Sequence, residues 1–342
     1  MNKFKHQCGM SLVEVLVALV ISLFLIAGII QVYIADKSSY TFSESISRIQ
    51  ENGRFALDTM TQDLRMAGFF GCAIFDPADT STIVNSLNPA GAGYDAALYD
   101  FIGQGLLEGT DGDGLNGSDS ITIRGAKPNQ VTVHPPYNTS TSAMIHVTTN
   151  TSIVPGDIVM VSNCRGADIF QVTNKTTSTN ASKQAVVHNT GAGNSPGNYN
   201  PDACKGGNAH CLSQTYGSDS SMFELQTVTY WIKVGASGEP ALWRSENGVN
   251  VELIESIEQM QVLYGIDTDN DRFPNQYVVS TAVTDMLDVI SIRLMLLVRS
   301  EFAFVTEEPQ VYNYNGTSTT AEDRRIRQVF STTIALRNRV GA

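Results

Sequence analysis

The hydrophobic pattern splits the chain into a helical beginning and a strand-rich remainder. From Met10 to Ile30 the residues are apolar except for Ser11, Glu14, Ser22 and Gly28. As a helix, residues 10–34 would span more than the ~30 Å hydrocarbon core of a bilayer. Beyond that run, Phe42, Ile46, Ile49, Gly53, Leu57, Met60 and Leu64 recur at spacings of three and four. Such spacing is the apolar stripe of an amphipathic helix. Glu44, Arg48, Glu51, Arg54 and Asp58 occupy the other faces. No proline precedes Pro77, and glycines stand at 68 and 71. The pattern therefore predicts one helix over residues 10–67, apolar all round at first and one-faced later, stopped at those glycines. A helix of that kind is a strut, with one end embedded and the other packed under a domain.

Behind the helix the period changes to two. Residues 73–118 carry loop signals, among them Asn88-Pro-Ala-Gly-Ala-Gly93 and Thr110-Asp-Gly-Asp-Gly114. Strand-like segments follow at 120–124, 131–134, 144–148, 157–162 and 168–172, with 155–173 reading as a hairpin turned at 164–167. Residues 174–220 are rich in Asn, Thr, Ser and Gly, broken by an apolar piece at 185–188, which predicts a long surface excursion. Residues 223–234 and 241–245 predict a hairpin, and Met260, Val262, Tyr264 and Ile266 alternate along the next strand. Residues 288–299 are apolar on both faces, the mark of a central strand. Near the end, Ile326, Phe330, Thr332, Ile334 and Leu336 face one way and Arg325, Arg327 and Arg337 the other, predicting a strand with a basic outer face. The expected fold class is α+β: a long N-terminal α-helix, half transmembrane and half amphipathic, on a β-rich, mostly antiparallel domain. That domain would cover 68–342, with a loop-rich insertion within 75–220.

Glu14 makes the apolar run more than an anchor. A lone carboxylate in a membrane helix costs ~2.5–3.5 kcal/mol on insertion scales, so a partner is expected. One turn from a helix amino end, the dipole favours it, as would the charge of a new terminus at Met10. No small-residue cleavage site follows the run. The processing signal lies before it, at Gly9-Met10, so cleavage there would leave the apolar segment in place. Lys3 and Lys5 hold the amino end in the cytoplasm and put the domain outside.

Gly9-Met10-Ser11-Leu12-Val13-Glu14 resembles the class III signal of type IV pilins and type II secretion pseudopilins. The resemblance implies a leader at 1–9, cleavage after Gly9 by a prepilin peptidase, and N-methylation of Met10. It also implies that Glu14 meets the amino end of a neighbouring subunit during assembly. Gln50-Glu-Asn-Gly-Arg-Phe-Ala-Leu-Asp58 and Gln62-Asp-Leu-Arg-Met-Ala-Gly-Phe69 are similar to PilW-type minor pilins, as is 155–173. Gln31 stands where many major pilins bend this helix at a proline. The family implies a type IV pilin-like fold and a minor pilin that helps prime assembly and form the pilus tip. Its partners would be prepilin peptidase, other minor pilins, the major pilin and a PilY-class tip adhesin. It would sit in the inner membrane as a single pass with its domain in the periplasm, and later in the extracellular pilus. A minor pseudopilin of type II secretion shares leader and strut and is the alternative.

Composition narrows this further. With 42% hydrophobic and 16% charged residues the chain has a core to bury. A net charge of -12 argues against a general nucleic-acid binder; a ligand-binding or DNA-uptake role through 174–220 or the basic strand at 324–339 is a further reading, with strong DNA affinity not expected. Of the five cysteines, Cys8 falls in the leader; Cys72, Cys164, Cys204 and Cys211 remain. Four cysteines on an exported chain read as two disulfides, with three connectivities open. The short loop 205–210 favours Cys204 with Cys211, leaving Cys72 with Cys164. Zinc is disfavoured because no C-x2-C pair occurs. Asp267, Asp269 and Asp271 have calcium-loop spacing, but Arg272 stands where such loops have glycine and no glutamate closes the loop at Val278. A turn with solvated acids competes with that reading, as it does for Asp111, Asp113 and Asp119. Gly193-Asn-Ser-Pro-Gly197 matches a nucleophile elbow by letter but lacks its strand and helix. His134, His146, His188 and His210 show no ligand spacing. No catalytic constellation and no cofactor are expected; a tethered periplasmic binding protein or enzyme is the reading from another class.

Overall fold

The computed structural model describes residues 11–73, 82–137, 142–149, 151–177, 183–190, 193–199, 210–269 and 271–338. Helix α1 runs unbroken over Leu12–Arg65, 54 residues and about 80 Å. Its buried positions are Ser45, Ile49, Gly53, Ala56, Met60 and Leu64. The expected stripe is therefore real, but its seam runs through the small residues where helix and sheet approach closest. Phe42 lies outside it, exposed. Met66 caps the helix, its N–H donating to the carbonyls of Asp63 and Leu64. Gly68 and Gly71 then take positive φ, 69° and 67°, and turn the chain; the Gly68 N–H donates to the Arg124 carbonyl at 3.0 Å.

The strands, in chain order, are β1 (Ile83–Asn85), β2 (Leu107–Thr110), β3 (Ser120–Thr132), β4 (Met144–Thr148), β5 (Ile158–Asn163), β6 (Gly166–Gln171), β7 (Asn174–Thr177) and β8 (Lys183–Val187). They continue as β9 (Ser221–Val234), β10 (Pro240–Glu246), β11 (Val249–Glu255), β12 (Ile257–Ile266), β13 (Gln276–Val278), β14 (Val289–Arg299), β15 (Val311–Tyr314), β16 (Thr317–Thr320) and β17 (Arg327–Ala335). Strand β9 is the spine of an eight-stranded sheet. On one side it pairs with β3; on the other, with β5 at its start and β10 along its end. A four-stranded antiparallel sheet runs β13-β12-β14-β17. Strand β14 is central and buried on both faces, as its sequence requires. Among the described residues the paired strands are antiparallel except β1 with β6, and one isolated parallel bridge joins Phe304 to Arg324. The fold class is α+β.

The α1 stripe, from Ile49 to Leu64, shares one core with Ile121, Tyr230, Leu242, Met260, Ile292, Leu294 and Ile334. The helix is thus clamped by both large sheets. The hairpin expected at 155–173 is β5–β6, closed from Asn163 to Gly166.

Two expectations are corrected. Residues 174–220 are not simply a surface excursion. Strands β7 and β8 pair there and join β4 in a three-stranded sheet, and Val186, Leu212 and Tyr216 enter a core of their own. The polar composition hid this because the apolar contributions come one or two residues at a time. Nor does the last strand carry a basic outer face. Arg327 is buried, with Nε 2.7 Å from Glu258 and an ion pair to Asp323 at 2.6 Å, and Arg325 pairs with Glu239 at 2.9 Å. Those charges are spent inside the molecule on carboxylates from β12 and two loops.

Candidate functional site

The candidate site begins where the helix does. Ser11 is the N-cap, in extended conformation at φ -74° and ψ 149°. Its Oγ accepts from the Glu14 N–H at 3.3 Å, and Glu14 Oε2 accepts from the Ser11 N–H at 3.0 Å. This reciprocal pair is a capping box. The spacing Ser11-x-x-Glu14 already carries that signal in the sequence. Within one chain the carboxylate is therefore satisfied by its own helix end. Gly9 and Met10, the expected processing residues, lie outside the described residues.

From Leu12 to Tyr40 almost every side chain is exposed, with Phe24 and Leu12 both at 76%. An 18-residue window of this helix is apolar enough to cross a membrane, and none of it is buried against the domain. So much uncovered apolar surface is far above what a soluble monomer exposes. It needs lipid or other helices around it.

The domain half of α1 is fixed by polar ties as well as by the stripe. Asp63 Oδ2 accepts from Tyr230 Oη at 2.5 Å and Arg244 Nε at 2.9 Å. Arg244 also reaches Glu246 at 2.7 Å, and Lys127 pairs with the same carboxylate at 2.7 Å. Burial and the Asp63 carboxylate push the Tyr230 phenol far above its usual range, so it stays a donor. Asn338 Nδ2 caps the helix end, donating to the Arg65 carbonyl at 3.2 Å and the Ala67 carbonyl at 3.4 Å.

Cys72 and Cys164 form a disulfide, joining the turn after α1 to the tip of the β5–β6 hairpin. Cys211 is also disulfide-bonded, whereas Cys204 lies outside the described residues. Asp267, Asp269 and Asp271 converge, with ligand atoms within 4.8 Å of one another. Arg272 takes the left-handed φ of 71° that glycine supplies in calcium loops. Two of the carboxylates already hold their own turn: Asp267 accepts from the Arg272 N–H and Asp271 from the Phe273 N–H, each at 2.8 Å. Asp119 is likewise structural. It accepts from the N–H groups of Gly112 and Val262 at 2.9 and 2.7 Å, and burial raises its carboxyl to about 6.

Some groups were not legible as partners in the sequence. His188 and His210 meet at 2.7 Å through Nδ1, both fully buried beside Phe170. Burial lowers His188 to about 3 and His210 to about 4, so the pair is neutral. Arg124 is buried against the carbonyls of Gly105 and Ala97 and the Glu108 carboxylate. A charge amid the apolar alternation of Ile121-Thr-Ile-Arg-Gly-Ala126 was the available signal.

Residues 229–338 match the family model of the type IV pilus-assembly protein W, PilW, and residues 4–30 match that of the prokaryotic N-terminal methylation motif. Over these two stretches the chain is similar to PilW-type type IV pilins. No curated protein and no solved structure matches it. The PilW match begins inside β9 and runs past β17, so it covers the whole four-stranded sheet but only part of the eight-stranded one that clamps the strut from the other side. The segments 50–69 and 155–173 fall outside both matches. Families of this type are structural, and they work with other pilus components. The motif and the apolar helix make the chain a membrane-anchored, single-pass protein.

Proposed function

We propose that this chain is a minor pilin that helps prime pilus assembly and form the tip complex. The observation that carries the reading is the two-part helix: an uncovered apolar half from Leu12 and a half clamped into the domain from Ser45. An uncovered half suits two successive surroundings, first lipid and then the helices of other subunits. Prepilin peptidase cleaves after Gly9 and methylates Met10. Glu14 then exchanges its capping bond to the neutral Ser11 amide for the charged amino end of a neighbour, so that an ionised acceptor facing a neutral donor becomes an ion pair. Before assembly the domain lies in the periplasm; afterwards it is extracellular, with other minor pilins, the major pilin and a PilY-class adhesin as partners. Its role is structural and not enzymatic.

Glu14→Ala is expected to leave the chain expressed, inserted and folded, and to deplete it about tenfold from sheared pili, the equivalent of ~1.4 kcal/mol. Pili of normal number and function, with that variant or with the gene deleted, would overturn the priming reading. Intact mass of the mature chain reports cleavage and methylation; residues 1–9 still attached in functional pili would overturn the leader assignment.

A further inference from the structure

Sheet edges invite pairing with other strands unless they are short, charged, bulged or covered. Among the described residues most edges here carry such a device. β1 and β13 have three residues each, and β2, β7, β15 and β16 four. β4 is bridged at Val147 by Val133. β3 is interrupted by a bulge at Lys127 and Pro128, and β11 has a bulge against β10 and carries Glu252 and Glu255. The open side of β12 is taken by Asn116, Ser118 and Asp119. β17 differs. It has nine residues, keeps unbroken register with β14 from Arg327 to Ala335, and contains no proline and no charge after Arg327.

The ladder fixes which groups of β17 point outward. The Leu336 N–H donates to Ile290 and the Ser300 N–H to the carbonyl of Ile326, so even-numbered residues bond toward β14. In an antiparallel ladder the N–H and C=O of one residue share a side, and the side alternates along the strand. Arg327, Val329, Ser331, Thr333 and Ala335 therefore turn both groups outward. At Arg327 they are met by a single side-chain amide: Gln310 Oε1 accepts from the Arg327 N–H at 2.7 Å, and Gln310 Nε2 donates to the Arg327 carbonyl at 2.9 Å. That amide occupies the place of a peptide group in a further strand. Beyond it, the outward groups of Val329, Ser331, Thr333 and Ala335 have no partner among the described residues.

We propose that the edge of β17 from Val329 to Ala335 is a docking site for an extended strand of a different subunit, added as the fifth strand of the β13-β12-β14-β17 sheet. Four successive outward N–H and C=O pairs on an uncharged strand are matched by another extended backbone. The donor strand must end or turn away at Gln310. A second copy of β17 fits poorly. Only one antiparallel register uses all four open residues of both copies, and it sets Arg337 of each opposite Arg327 of the other, against Gln310. Phe330, within the docking edge, packs on Gly53 of the strut, so the donor would lie beside α1. The identity of the donor as a pilus subunit rests on the reading above; the edge itself does not.

Hydrogen exchange on the full-length chain tests this, comparing the chain alone in detergent with the chain co-purified with the pilin subunits expressed beside it. The amides of Ser331 and Thr333 should exchange fast alone and ~10-fold or more slower in the complex. Those of Phe330 and Thr332, bonded to β14, should be slow in both. Equal rates at Ser331 and Thr333, failure to co-purify, or protection through a homodimer in detergent would each overturn the docking. Thr333→Pro removes one outward N–H at a position where an edge strand accepts proline. It should accumulate with the Cys72–Cys164 disulfide formed, yet lose the partner subunits, while Thr333→Val keeps them. Normal co-purification of Thr333→Pro would count against the site, and exchange on the wild type decides should that variant not accumulate. Whether the wild-type chain occurs in sheared pili is read separately and bears only on the pilus-subunit reading.

Discussion

Gly53 is where the strut meets the sheet at closest approach. A Cβ there would lie 2.6 Å from the ring of Phe330. Replacing a mid-helix glycine normally stabilises by up to ~1 kcal/mol through helix propensity when the new residue is alanine. Valine gains less of that, being β-branched, and overpacking costs ~1–3 kcal/mol. Gly53→Val is therefore expected to lower the melting temperature by a few degrees, and Gly53→Val with Phe330→Ala to lose less than the two single changes summed. Additive losses in thermal melts would mean the two residues do not press on each other. The sequence placed Gly53 on the stripe by spacing alone. It could not say that the facing residue would be Phe330, because their contact joins positions far apart in the chain.

At the scale of elements, α1 was legible almost to its ends, since an unbroken apolar run passes without a proline into a stripe of helical spacing. β14 was legible for the same reason: eleven residues apolar on both faces leave little choice but a central strand. β1, β2, β7, β13, β15 and β16 were not, since three or four residues give no period to read. The basic strand was misread because alternation tells which residues share a face and not what the face meets. The disulfide is an element-scale lock between the end of α1 and the β5–β6 hairpin. Its cysteines are separated by 92 residues, a loop for which chain entropy alone contributes ~4–5 kcal/mol. Cys72→Ser with Cys164→Ser is expected to lower the melting temperature by roughly 10 °C while leaving helix content unchanged; no shift in circular-dichroism melts would show that the lock adds nothing.

The whole molecule has an acid-sensitive interior. His188 and His210 titrate near 3 and 4 in the fold, below the 6.5 of an ordinary histidine. Their folded pKa values are depressed, so the unfolded chain binds protons first as pH falls. The stability they contribute is complete above about 6.5 and drains away toward pH 4 and 3. Asp119 works the other way: raised from 3.8 to about 6, its contribution is complete below 3.8 and is lost as pH rises through 6. His188→Leu with His210→Leu removes the first effect and leaves the second. The melting temperature of that variant should fall less between pH 7 and pH 4.5 than that of the wild type, by on the order of 5 °C. Parallel pH profiles would mean that the pair is not buried and neutral.

What the sequence determined by itself is what local order can encode. The apolar run, the one-faced continuation, the S-x-x-E box and the β-rich remainder each lie within a few turns of chain, where period and spacing are enough. The leader motif and the resemblance to pilins are of the same local kind. Only the tertiary structure decided which charges are spent and which groups stay open. Arg327 became a buried ion-pair partner because Glu258 and Asp323 come to it. His188 and His210 became a pair because two loops close over Phe170. The edge of β17 stays open because Gln310, seventeen residues earlier, reaches only its first residue. Pairings of that sort carry no period along the chain, and they exist only once distant segments have been brought together.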